Sequence, residues 1–185
     1  MARYWRWAWG LLLLLAAGGP GLAQDSWKLL QSGTVVLFRH ALAPGVSDPA
    51  NFQLNDCATQ RNLDETGRQQ ARLLGQQFRQ RSIPVGRVLT SQWCRTRETA
   101  ALAFPGLPQD EPAFNSFFGD RSTETSQTRK ALQILSQWRG PGVLVVVTHQ
   151  VNITALTGIV PNSGEGVIVR YKEGRLEVLG KLDVP

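Results

Sequence analysis

The chain is short of most residues that do chemistry. Among its 185 residues there are two histidines, His40 and His149, and two cysteines, Cys57 and Cys94. The cysteines are too far apart for a C-x-x-C unit, and no H-x-x-x-H spacing occurs, so metal-ligand patterns are lacking. No Lys/Arg-rich run interleaved with aromatics appears. The formal net charge of +6, which falls to +4 without Arg3 and Arg6, is a modest excess that suits an anionic ligand, and the pattern gives nucleic-acid binding only weak support. There is no internal repeat and no low-complexity tract, and a hydrophobic fraction of 42% argues against disorder.

Long apolar runs are also lacking. The one near the start, centred on Leu11 to Leu15, is short for a span of about 20 residues. Arg3 and Arg6 precede it, and small residues ending in Gly21-Leu22-Ala23 follow. This pattern reads as a secretory signal over residues 1–23, cut after Ala23, rather than a membrane anchor. It leaves residues 24–185 as one domain with no stable membrane span, and it implies a periplasmic or secreted location. Such a compartment is oxidising, which favours a pair between Cys57 and Cys94 over two buried thiols.

Against that sparse background, both histidines follow apolar runs: "VVLFRHALAPG" for His40 and "GVLVVVTHQ" for His149. Unbroken apolar stretches of this length read as strands buried on both faces. Helical spacing is present over 65–81, where Asp64 or Thr66 is a candidate cap, and further helices are expected near 92–103, 124–138 and 151–158. A strand is expected at 86–90, and a hairpin at 166–171 and 175–180 with its turn at Lys172-Glu173-Gly174. Residues 41–60 and 105–122 read as loops. Strands alternating with helices predict a three-layer α/β/α domain with a mostly parallel sheet. Ligands bind such sheets beyond the carboxyl ends of the strands. Arg39, His40, Ser91 and His149 all lie there.

In "SQWCRTRETA", Ser91, Arg95 and Thr99 are four apart and form one stripe on a helix. The first turn of that helix is expected to offer free N–H groups to an anion. Two arginines and two histidines in one crevice suit a dianionic phosphoryl group held by forked donors. A neutral imidazole attacks phosphorus when its other nitrogen is held by an acceptor, and the remaining work is positioning and electrostatics.

These segments resemble the histidine phosphatase superfamily, also called phosphoglycerate-mutase-like. "LFRHA" stands for the family's Arg-His-Gly motif, "SQWCRTRETA" for its S-x-x-x-R-x-x-x-T-A segment, and "VVVTHQ" for its second histidine. "NLDETGRQQARLLGQQF" resembles the stretch leading into the family's first helix. The resemblance implies a cofactor-independent phosphatase acting on a small phosphorylated substrate. His40 would be the nucleophile that becomes phosphohistidine, with Arg39, Arg95 and His149 completing the phosphate pocket; no metal or organic cofactor is implied. Ala41 replaces the family's usual Gly. Gln150 replaces an Asp, which disfavours the acid phosphatase and phytase branch.

The proton donor is less defined. Asp120, Glu124 and Glu111 are candidates, Asp120 being preferred, and Ser116 sits near where a Glu is expected. Arg61 reads as a cap or a surface-paired charge at least as readily as a substrate contact. Trp93, Trp138, Phe117 and Phe118 read as core or pocket wall, with the loop phenylalanines able to favour an apolar leaving group. The competing reading is a non-catalytic phosphate- or phosphoglycan-binding protein. A mutase ranks third.

Overall fold

The computed structural model describes residues 25–183, so the expected signal segment lies outside the described residues. A six-stranded sheet is built from β1 (Val35–Arg39), β2 (Val85–Thr90), β3 (Pro108–Asp110), β4 (Val143–Thr148), β5 (Gly166–Lys172) and β6 (Arg175–Leu182). Its order is β3-β2-β4-β1-β5-β6. The first four strands of that order are mutually parallel, and β5 and β6 close the far side antiparallel.

Side-chain alternation on the buried strands divides the core in two. Val36, Phe38, Val145 and Val147 point to one face, where Leu74 and Phe78 of α1 (Glu65–Gln80) and Ala100 and Ala103 of α2 (Cys94–Ala103) cover them. Val35, Leu37, Leu144 and Val146 point to the other. There Ala131 and Leu135 of α3 (Glu124–Ser136) and Ile153 of α4 (Gln150–Thr157) pack on them. Each large side chain so buried is worth about 1.5–3 kcal/mol relative to exposure. The fold is the three-layer α/β/α arrangement expected.

Local chemistry sets the helix ends. The Asp64 carboxylate accepts from the Gly67 N–H at 2.7 Å, capping α1. Phe104 and Pro105 stop α2, and Gly158 ends α4 in the left-handed region at φ 75°. Gly67 is required for another reason: a Cβ there would lie 2.0 Å from the Leu42 carbonyl oxygen, so α1 and the loop after His40 touch through backbone.

Two expectations need correction. Residues 105–122 are not all loop. Pro108–Asp110 forms a short edge strand paired to β2, and its three residues with a leading proline carry no strand pattern. The helix expected from residue 92 starts at Cys94, so Ser91 lies before it, in the turn after β2.

Candidate active site

Register brings the two histidines together. β1 and β4 are parallel with Arg39 opposite Thr148, so His40 and His149 leave the sheet side by side. The His40 N–H donates to the Thr148 carbonyl at 2.9 Å, and the Ser91 N–H donates to the Val147 carbonyl at 3.1 Å. The imidazole rings lie 5.6 Å apart, edge to face, and both side chains are buried.

His40 Nδ1 contacts the Ala41 carbonyl oxygen at 2.7 Å. A carbonyl only accepts, so Nδ1 carries the proton and Nε2 keeps the lone pair. Burial, with Arg95 and then other cations nearby, pushes the His40 pKa down to about 3. The ring is therefore neutral at physiological pH, as a nucleophile must be. Ala41 is buried and is not among the residues with positive φ, so the position normally occupied by Gly needs no glycine here.

His149 Nε2 lies 2.8 Å from Ser91 Oγ. Asn115 Oδ1, 3.3 Å from that hydroxyl, already accepts from the Gln92 N–H. Burial, followed by the charge of Arg95, holds the His149 pKa well below the ordinary value.

The Ser91, Arg95 and Thr99 series does converge, although not as a helix stripe. Ser91 holds His149. Thr99 Oγ1 accepts from the Ala41 N–H at 3.1 Å, fixing the turn after His40. The N–H groups expected to receive an anion are already used: those of Gln92, Trp93 and Cys94 donate to Asn115 Oδ1, Ser91 Oγ and Gln60 Oε1. Anion binding therefore falls to side chains.

Those side chains are three arginines: Arg39, Arg61 and Arg95 line one cavity with His40 and His149. Arg39 donates to the Pro161 carbonyl at 3.1 Å, and Arg61 donates to the Ala43 carbonyl. Burial and the charge of Arg95 push the Arg61 pKa down to about 10, and Arg39 is lowered for the same reasons. The Nε–H groups of all three are buried without a protein partner. Crowded cations with unspent donors are the complement of an anion.

Sequence reading missed Asp48 entirely. Its carboxylate receives both terminal nitrogens of Arg95, at 2.7 and 3.1 Å, the Trp93 Nε1–H at 3.0 Å and the Arg61 N–H at 3.0 Å. Burial pushes this carboxyl up, but those bonds and the charge of Arg95 outweigh it and hold the pKa below its ordinary value. Asp48 thus fixes the Arg95 fork and ties it to the loop that carries Arg61. Its signal was hidden in a loop of Pro, Gly, Asn and Asp, where an acid ordinarily marks a turn.

The three acids weighed as proton donors separate. Asp120 lines the cavity mouth, exposed, and accepts from the Ser122 N–H at 2.9 Å; hydrogen bonds from Ser122 lower its pKa. Glu111 accepts from the Ala113 N–H, Glu124 pairs with Arg121, and neither lines the cavity. Ser116 does line it. Trp93 and Phe118 form cavity wall, whereas Phe117 is core and Trp138 packs against the core on the α3 side. Cys57 and Cys94 form a disulfide with Cα atoms 5.7 Å apart, tying the Arg61 loop to the start of α2. Among the described residues no three His, Cys, Asp or Glu side chains converge as a metal site, and no helix is long and apolar enough to cross a membrane.

Comparison with known proteins agrees with this geometry. No curated protein matches the sequence. Solved structures share the fold. Protein histidine phosphatase SixA complexed with tungstate matches with TM-score 0.55 and 18% identity, over 80% of this chain and 96% of its own. Phosphoglycerate mutase from Thermus thermophilus matches with TM-score 0.55 and 16% identity, over 82% and 99%. Phosphoserine phosphatase from Entamoeba histolytica, in complex with 3-phosphoglyceric acid, matches with TM-score 0.56 and 12% identity, over 81% and 96%. At sequence level, residues 35–116, which carry His40, Arg61 and Arg95, match the model for histidine phosphatase superfamily (branch 1). The sequence match to the histidine phosphatase superfamily thus lies in residues 35–116, and the likeness of fold extends over about four-fifths of the chain.

Proposed function

We propose that the protein is a cofactor-independent phosphatase that hydrolyses a phosphomonoester, or a related phosphoryl donor, through a phosphohistidine on His40. The observation that carries this reading is the His40 Nδ1 to Ala41 carbonyl contact of 2.7 Å beside three arginines. It leaves Nε2 as a neutral nucleophile facing an anion-binding pocket. The Nε2 lone pair forms a bond to phosphorus as the bond to the leaving oxygen breaks, and that oxygen takes a proton. Arg39, Arg61, Arg95 and His149 stabilise the equatorial oxygens in flight. Water then attacks phosphorus, releasing phosphate and restoring His40. Asp120 is the one of the three weighed acids at the cavity, positioned to exchange protons with the leaving group or the attacking water.

A second reading keeps the pocket without turnover. It draws on one observation: the carboxyls lining the cavity, Asp48 and Asp120, both have lowered pKa values, so neither is a ready acid. Turnover of p-nitrophenyl phosphate separates the two. Release of p-nitrophenolate, lost in His40→Ala, supports the phosphatase; phosphate binding without turnover supports the alternative.

The same proposal places the protein in the periplasm or outside the cell, exported by residues 1–23. The Cys57–Cys94 bridge supports this, since such bonds persist in oxidising compartments. An N-terminus at Gln24 on the exported protein is the expected result; an intact Met1 in the cytosolic fraction would refute it.

A further inference from the structure

The cavity measures about 700 Å³. Cavities of roughly 300–1,000 Å³ hold drug-sized molecules, and one phosphoryl group fills only a small part of this one. The three arginines and two histidines account for the phosphoryl end. Beyond them the lining is mixed: Val46, Pro49, Ala50, Phe52, Trp93 and Phe118 form its apolar part, with Ser47, Ser116 and Gln150 as neutral polar neighbours.

Trp93 joins the two ends. Its ring meets His149 edge-on at 5.3 Å, and its Nε1 is tied to Asp48. The same indole stacks on Phe52 at 5.1 Å with 21° between planes, so a fixed aromatic wall runs outward from the histidines. Phe118 is held at the mouth by its neighbour: Phe117 is anchored in the core at 1% exposure, which turns Phe118 outward at 50%. Val46 is exposed to 80%. Single exposed apolar residues are ordinary, but several gathered around one opening mark a binding surface. Charge points the same way. Among the described residues the cations lining the cavity are the three arginines, and the one charge not hydrogen-bonded into them is the carboxylate of Asp120.

We propose that the mouth is a leaving-group subsite for a flat, apolar, uncharged moiety that carries a single phosphoryl group. Phe118 and the Phe52–Trp93 wall are its specificity-determining residues. The proposal rests on the phosphatase reading for what occupies the inner end of the cavity. A substrate with a second anionic group would meet Asp120 rather than a further cation.

Non-hydrolysable phosphonates test this without the confounding effect of leaving-group basicity. Calorimetry on the full-length protein compares methylphosphonate, 1-naphthylmethylphosphonate and methylenebisphosphonate. The naphthyl compound is expected to bind at least tenfold more tightly than methylphosphonate. Phe118→Ala should reduce that ratio three- to tenfold, the range of one aromatic contact. Val178→Ala, a substitution on β6 that does not line the cavity, should leave the ratio unchanged. Equal affinities for the methyl and naphthyl compounds, or tightest binding of the bisphosphonate, would overturn the subsite while leaving the phosphoryl pocket intact. Failure of methylphosphonate and inorganic phosphate alike to bind would instead overturn the phosphatase reading on which it rests.

Discussion

Replacing both Cys57 and Cys94 with serine removes a cross-link whose effect can be worked from the fold. The bridged residues are 37 apart, so the bond closes a loop of roughly 38 residues in the unfolded chain. In the chain-entropy description that constraint is worth about 4 kcal/mol. Domains of this size have only about 5–15 kcal/mol to lose, so the double variant should fold but unfold at a clearly lower urea midpoint. Cys57 is exposed, so a reductant should reach the bond and produce the same shift in the unmodified protein. The consequence for the pocket should be milder. The Gln60 side chain independently joins the two segments, accepting from the Cys94 N–H at 2.9 Å and donating to the carbonyls of Gln53 and Leu54. The variant should therefore lose stability while its affinity for inorganic phosphate changes less than threefold. Adding Gln60→Ala should then lower phosphate affinity sharply. Urea titrations with and without reductant, read by tryptophan fluorescence, measure the first effect, and calorimetry measures the second. An unchanged urea midpoint after complete reduction would refute the reasoning.

Further expectations are independent of the bridge. His40→Ala should abolish phosphatase turnover without unfolding the protein, and acid-quenched labelling should trap phosphate on His40 in the unmodified enzyme. Asp48→Ala should destabilise by about 3 kcal/mol, because it leaves the buried Arg95 fork without its carboxylate; added phosphate should restore part of the loss, and a Tm unmoved by phosphate would count against the assignment. Gly67→Ala should cost about 1–3 kcal/mol through its clash with the Leu42 carbonyl, measured by the shift in Tm. Acid should destabilise the fold. The unfolded histidine binds its proton near pH 6.5 and the folded His40 only near 3, so the stability is full above 6.5 and is lost as pH falls towards 3. The slope is about 1.4 kcal/mol per pH unit, His149 adds to it in the same direction, and His40→Gln should make it shallower.

Five of the six strands, the four helices and the convergence of Arg39, His40, Arg95 and His149 were legible because each rests on a strong local signal. Those signals are apolar runs for β1 and β4, a capped periodic stretch for α1, and a fixed spacing around Arg95. What escaped lacked such a signal. β3 is too short and too polar to stand out. Asp48 and Arg61 acquire meaning only when a loop folds across the strand ends, and nothing in "GVSDPANF" distinguishes a carboxylate clamp from a turn. The helix start was misplaced by two residues for a related reason. The N–H groups of Gln92, Trp93 and Cys94 are held by Asn115, Ser91 and Gln60, two of them distant in sequence, in place of a local cap.

The place of β1 in the sheet has a consequence for the order in which the protein can assemble. β1 is a central strand, yet its two neighbours, β4 and β5, are both encoded more than 100 residues later. During synthesis the segment Val35–Phe38 therefore emerges with neither hydrogen-bonding edge satisfied and no sheet to enter. Any product truncated before β4 contains His40 but exposes an unpaired apolar strand, which makes it a candidate for aggregation rather than a partly active fragment. Activity is thus expected to appear only once nearly the whole chain has been made, and a growing chain should need a holding partner until residues near 170 are available.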